Sequence, residues 1–157
     1  MAEKFRLLNL PYPPSTHDQY MPIRMGNVAR VVPTGQLKKF QKDCERYFMD
    51  NFLVVGKARQ ACREWMLKGN MLQVDFYFFA HGTRLWTQHD APRKYDTSNL
   101  VKPVEDELAK LLQVDDSCFF RGSHEKAETM RSDPFVNIML RPWKPRSFQE
   151  IKEQEGF

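Results

Sequence analysis

The sequence predicts a single α+β domain in which helices pack on a mixed β-sheet. Three observations carry that expectation. The 157 residues suit one compact core, and 41% hydrophobic content with twelve Phe is enough to fill it. Apolar residues recur at helical spacing around 34–48, 57–68 and 100–112. Alternating apolar runs mark strands before, between and after those segments. The domain is expected over residues 1–140, with 141–157 as a C-terminal extension of extended or helical character.

Phe5 to Leu10 alternates well enough for a first strand, which Pro11, Pro13 and Pro14 stop because proline offers no ladder donor. Ile23 to Val32 carries a central Gly26-Asn27 pair and reads as a tight hairpin with glycine at positive φ. From Thr34, a candidate N-cap, Leu37, Phe40, Cys44, Tyr47 and Phe48 line one face of a helix. Lys38, Lys39, Lys42 and Arg46 line the other. A second helix over 57–68 turns Ala58, Ala61, Cys62, Trp65 and Met66 inward and ends at Gly69-Asn70. Met71 to Phe79 is apolar on both faces, as a central strand requires. Residues 80–95 have no period and read as a long loop holding Arg84, Trp86, Arg93 and Lys94. Leu100, Val104, Leu108 and Leu111 mark a helix over 100–112, its start near Leu100 inferred from the comfort of Pro103 in a first turn. Strands around Cys118–His124 and Phe135–Leu140 complete the sheet.

The net charge of +4 is unevenly placed. Residues 1–95 hold fifteen Lys/Arg against eight Asp/Glu, whereas 96–157 hold nine against twelve. A basic surface beside an acidic cluster suits a protein that attracts phosphate and holds a metal, and equally describes a solvated helix followed by an acidic tail. Cys44, Cys62 and Cys118 form no CxxC pair, so neither a zinc knuckle nor a disulfide framework is expected. The absence of an apolar run near the ~18 residues of a membrane span, and of an apolar core in the first residues, predicts a soluble, cytoplasmic chain.

Chemistry concentrates between Asp96 and Asp116. Asn99, Lys102 and Asp106 sit at i, i+3 and i+7 and share a helical face. As isolated spacing they also describe an ordinary solvated face, with Lys102 and Asp106 an i,i+4 pair. Asp96, Asp106, Asp115 and Asp116 are oxygen donors able to surround one hard cation, with the Ser98 hydroxyl as a weak neutral ligand. Lys102 is a candidate for offsetting charge on a reacting phosphate. Asn99, Arg93, Lys94, Arg84, Lys38, Lys39, Lys42 and Arg46 are the candidate DNA contacts. Trp86 in its basic loop stacks on a base or anchors the loop.

Leu10-Pro-Tyr-Pro-Pro-Ser15, Gly35-Gln36, the order Asp96, Asn99, Lys102, Asp106, and Val114-Asp-Asp116 together resemble the RusA-type crossover-junction endodeoxyribonucleases, over roughly residues 5–140. The resemblance implies a small α+β fold, a homodimer, dependence on magnesium with manganese as its substitute, and cleavage of four-way DNA junctions. It implies metal-site roles for Asp96 and Asp116, an essential role for Lys102, and a phage or prophage origin. Ser98 stands where that family carries a second aspartate, Thr16-His17 where it usually carries asparagine, and the 80–95 loop is longer. A non-catalytic DNA-binding protein on the same scaffold, and an unrelated α+β binding module, remain the alternative readings.

Overall fold

In the computed structural model, which describes residues 3–15, 18–93 and 97–157, the polypeptide folds as α+β. In order come β1 (Phe5–Pro11), β2 (Tyr20–Met25), β3 (Val28–Pro33), α1 (Gly35–Asp50), α2 (Phe52–Leu67) and β4 (Met71–His81). The one-turn α3 (Gly82–Leu85), α4 (Ser98–Leu112), β5 (Phe119–Thr129), β6 (Phe135–Trp143) and α5 (Phe148–Glu155) follow. Among the described residues, four strands make one mixed sheet in the order β1-β6-β4-β5, while β2 and β3 pair only with each other. β5 is parallel to β4, and α4 lies in the crossover between them.

The core forms where alternate residues of the sheet meet the helices. Val74, Phe76 and Phe78 of β4 stand beside Leu140, Ile138 and Val136 of β6, which makes one continuous apolar row. Against it pack Leu37, Phe40 and Cys44 of α1, Val55, Ala58 and Cys62 of α2, and Leu100, Val104 and Leu108 of α4. On the other sheet face, buried Asp75 accepts from Ser123 Oγ at 2.7 Å and from Gln73 Nε2 at 3.1 Å, so its desolvated carboxylate is satisfied. Phe79 and Phe135 stack nearby with centroids 4.9 Å apart.

Most boundaries follow the sequence. Thr34 caps α1 by accepting from the Leu37 amide at 3.2 Å. Met25 pairs with Val28 across a two-residue turn in which Gly26 takes φ +63°. Other boundaries differ. α2 starts at Phe52, not 57, because Phe52, Leu53 and Val54 point to solvent and hide the period of its first turn. β4 runs on to His81 and α3 follows it, so the expected loop begins later. β5 begins after Cys118 and runs on to Thr129. β6 continues through Trp143, so the extension carrying α5 starts beyond the sheet.

Candidate functional site

α4 positions the first half of the site. Its buried stripe of Leu100, Val104, Leu108 and Leu111 leaves Asn99, Lys102 and Asp106 on the solvent side. The helix begins at Ser98 rather than Leu100, which places Pro103 in its interior. Proline there has no N–H to donate to the carbonyl of residue 99. A side chain from another element replaces the missing donor: Gln19 Nε2 reaches the Asn99 carbonyl at 3.0 Å and the Pro14 carbonyl at 3.1 Å. That substitution is why the helix tolerates Pro103 beyond its first turn.

The second half comes from the chain reversal after α4. Gln113 ends the helix in the left-handed region, φ 56° and ψ 43°. Val114 N–H returns to the Ala109 carbonyl at 3.0 Å. Asp115 then caps a 3-10 turn over Asp116–Cys118, its Oδ1 accepting from the Ser117 amide at 2.9 Å. The cap aims Asp116 back at α4.

The two halves meet at Lys102. Its Nζ lies 2.8 Å from Asp106 Oδ1, 2.8 Å from Asp116 Oδ2 and 3.9 Å from Glu105 Oε1. The hydrogen bonds it donates to Asp106 and then to Asp116 hold its ammonium well above the ordinary lysine range. Burial raises the Glu105 carboxyl, against the opposing pull of Lys102. Asp115 is held below the usual carboxylate range by its bonds to Ser117 and serves as a cap.

Of the expected metal-site residues, the structure therefore brings Asp106 and Asp116 together. Ser98 is the first, exposed residue of α4, and Asp96 lies outside the described residues, as do Lys94, Thr16 and His17. Among the described residues, no group of three or more His, Cys, Asp or Glu is arranged to hold a metal. Two carboxylates within reach of one atom do fit the needs of magnesium, which binds through one or two carboxylates and completes its shell with water and phosphate.

The expected DNA contacts divide. Lys39 and Arg84 line one cleft of about 270 Å³ with Tyr12 and Gln36. Arg84 and Arg93 line a neighbouring cleft of about 600 Å³ that reaches Leu100 of α4. Arg46 lines a third, of about 480 Å³, with Arg131 and Phe135. Lys39 is already paired with Asp43 at 2.8 Å. Arg93 ties its loop down, its Nε donating to the Thr83 and Trp86 carbonyls at 2.9 and 3.0 Å. Lys38 and Lys42 are exposed on α1. Trp86 is half-exposed and bridges to Pro92.

Two residues escaped the sequence reading. Glu105 precedes Asp106 and stands at i+3 from Lys102, a spacing that was available as a signal. Gln19 had no sequence signal, because its partner is eighty residues away.

Fold and site together define an α+β protein with a lysine-bridged carboxylate pair, Asp106 on the exposed face of α4 and Asp116 in the turn that follows it. Compared with known proteins, the chain matches no family model and no curated protein.

Proposed function

We propose that the protein is a magnesium-dependent, structure-selective endonuclease of RusA type that cuts four-way DNA junctions as a homodimer. The observation that supports this reading is the Lys102 ammonium held 2.8 Å from both Asp106 and Asp116. Asp106 and Asp116, together with Asp96, are the residues that would hold the cation. When bound, the cation supplies Lewis-acid polarisation of the phosphodiester.

The chain's own residues account for the rest. Lys102 balances the two aspartates while no substrate is bound, and it is a fixed donor within reach of an anionic oxygen attracted to a cation that the same carboxylates would hold. Attack of water on phosphorus, with the 3′ oxygen leaving and taking a proton, produces a 5′ phosphate, and the negative charge gathered on the phosphate oxygens falls to Lys102. Arg84 and Arg46, in clefts beside α4 and α1, supply attraction for the flanking phosphates. A two-fold dimer presents two such sites to a substrate that needs two incisions. Among the described residues no helix is long and apolar enough to cross a membrane.

Incubation with a labelled four-way junction, with and without magnesium, tests the reading. Paired, symmetry-related cuts that need the metal are expected. Binding without cleavage at any magnesium or manganese concentration turns the molecule into a junction-binding protein, and no binding removes the nucleic-acid reading altogether.

A further inference from the structure

We infer that the β2–β3 ribbon is a nucleic-acid arm, which packs its apolar tip on exposed base faces at a DNA branch point while Arg24 and Arg30 hold the phosphates on either side. This rests on the proposed endonuclease reading and adds to it the element that recognises the branch.

The ribbon stands apart from the four-stranded sheet, and among the described residues its two strands pair only with each other. Six residues per strand at roughly 3.3 Å each give it a reach of about 20 Å. Two-stranded ribbons are marginal in isolation and normally bury a face. This one leaves Met25 62%, Val28 53% and Met21 46% exposed on the same face, and Tyr20 and Val31 exposed on the other. Apolar surface of that kind at the tip of an arm indicates a partner.

Charge identifies the partner. No acidic residue occurs between Asp18 and Asp43. The ribbon's charged side chains are Arg24 and Arg30, and the register Ile23↔Arg30 and Arg24↔Ala29 puts them on opposite faces. Cations on both sides of an apolar ribbon match two phosphate backbones diverging around it. Two ribbons packed against each other in a dimer would instead bury Arg30 with no carboxylate on either ribbon to receive it. Methionine and valine at the tip carry no hydrogen-bonding group able to read base edges, but methionine is among the side chains that wedge between base steps. The arm therefore responds to unstacked bases, not to sequence.

Its base is wired to the site. Gln19 immediately precedes β2 and Thr34 immediately follows β3; the Thr34 amide donates to the Gln19 carbonyl at 2.9 Å. The Gln19 side chain in turn holds the Asn99 carbonyl, in the turn of α4 that leads to Lys102.

A four-way junction carrying 2-aminopurine at the branch point, and a linear duplex of the same sequence, provide the test. Exposed positions keep the variants folded, which thermal melting verifies. Wild-type binding is expected to raise the fluorescence of the junction only. The double variant Met25→Ser/Val28→Ser should abolish that rise and weaken junction binding by about tenfold, the scale of one lost base contact, with duplex binding within about twofold. Arg24→Ala/Arg30→Ala should lower the slope of log affinity against log salt by about two. Variants that bind the junction as the wild type does overturn the arm and leave the endonuclease reading standing. A wild type that binds no junction overturns both. Variants that sediment at half the wild-type mass make the ribbon a subunit contact, which also overturns the proposal.

Discussion

Gln19 Nε2 donates to the Asn99 carbonyl at 3.0 Å, the carbonyl that Pro103 leaves without its helical donor. One residue makes the defect and another, far away in sequence, repairs it. Gln19→Ala should cost about 1–3 kcal/mol, since it leaves a carbonyl unpaired and removes a buried side chain. In a Pro103→Ala background the new amide can take Asn99, so the same substitution should cost about 1 kcal/mol less. Urea unfolding of the four-member cycle measures this; strict additivity refutes the relationship.

Lys102→Ala should slow cleavage by roughly a hundredfold or more, the ~3 kcal/mol typical of a transition-state donor. Because the pair is largely exposed, stability should change by less than about 1 kcal/mol. Asp116→Asn should also stop cleavage while junction affinity holds or rises, because it removes a negative charge that faces phosphate. Single-turnover cleavage and filter binding separate the two effects. Joint loss of binding and folding would return these residues to a structural role.

Glu105 carries a prediction with a defined sign. Its folded-state carboxyl titrates above the ordinary 4.5, chiefly through burial. The native state thus binds the proton more tightly than the unfolded chain, and stability is lost as pH rises through the folded value. Glu105→Gln should melt higher than wild type at pH 7, and the gap should close below pH 4.5. A gap of the opposite sign at pH 7 would show that attraction to Lys102 outweighs burial.

Ser98→Asp places a carboxylate at the first residue of α4, whose first turn has no acid. Favourable interaction with the helix dipole should raise stability by about 0.3–1 kcal/mol. Cleavage at low magnesium should be kept or increased, as added charge strengthens a hard-cation site. Strong inhibition would mean that the site is built around a neutral group there.

Thiol labelling should distinguish the cysteines. Burial pushes Cys62 up to about 12 and Cys44 higher still, so both remain protonated and unreactive at pH 8. Cys118 is only partly buried and should be the one thiol a disulfide reagent modifies before unfolding.

The sequence announced those parts of the molecule whose causes are local. The β4 alternation, the Thr34 cap, the Gly26 turn and the amphipathic face of α4 are all set by neighbours within a few residues. The Lys102–Asp106 contact was legible for the same reason, being one helical turn. Lys102–Asp116 depended on how Gln113 and the Asp115 cap reverse the chain, which spacing alone does not specify. The start of α4 is not legible from Pro103 and its own helix alone, because the donor that makes an interior proline tolerable comes from Gln19. α2 lost its first turn to three apolar residues that face water, contrary to the pattern on which a period is read.

The two outer strands of the large sheet show how it avoids recruiting further chains. β1 carries one extra residue between Leu7 and Leu10; Asn9 there adopts φ 60° and gives its amide to Asn137 Oδ1. This bulge bends the rim and uses a donor that a foreign strand would seek. β5 likewise carries one extra residue, Phe120, between its pairings of Phe119 with Leu72 and Arg121 with Gln73, and the rest of its eleven residues is lined by Arg121, His124, Glu125, Lys126 and Glu128. Stacking such a strand on a copy of itself would bring charges into close opposition and strip their water. The molecule should therefore stay dispersed at high concentration near neutral pH, and smoothing β5 with uncharged residues should make it precipitate as fibrils.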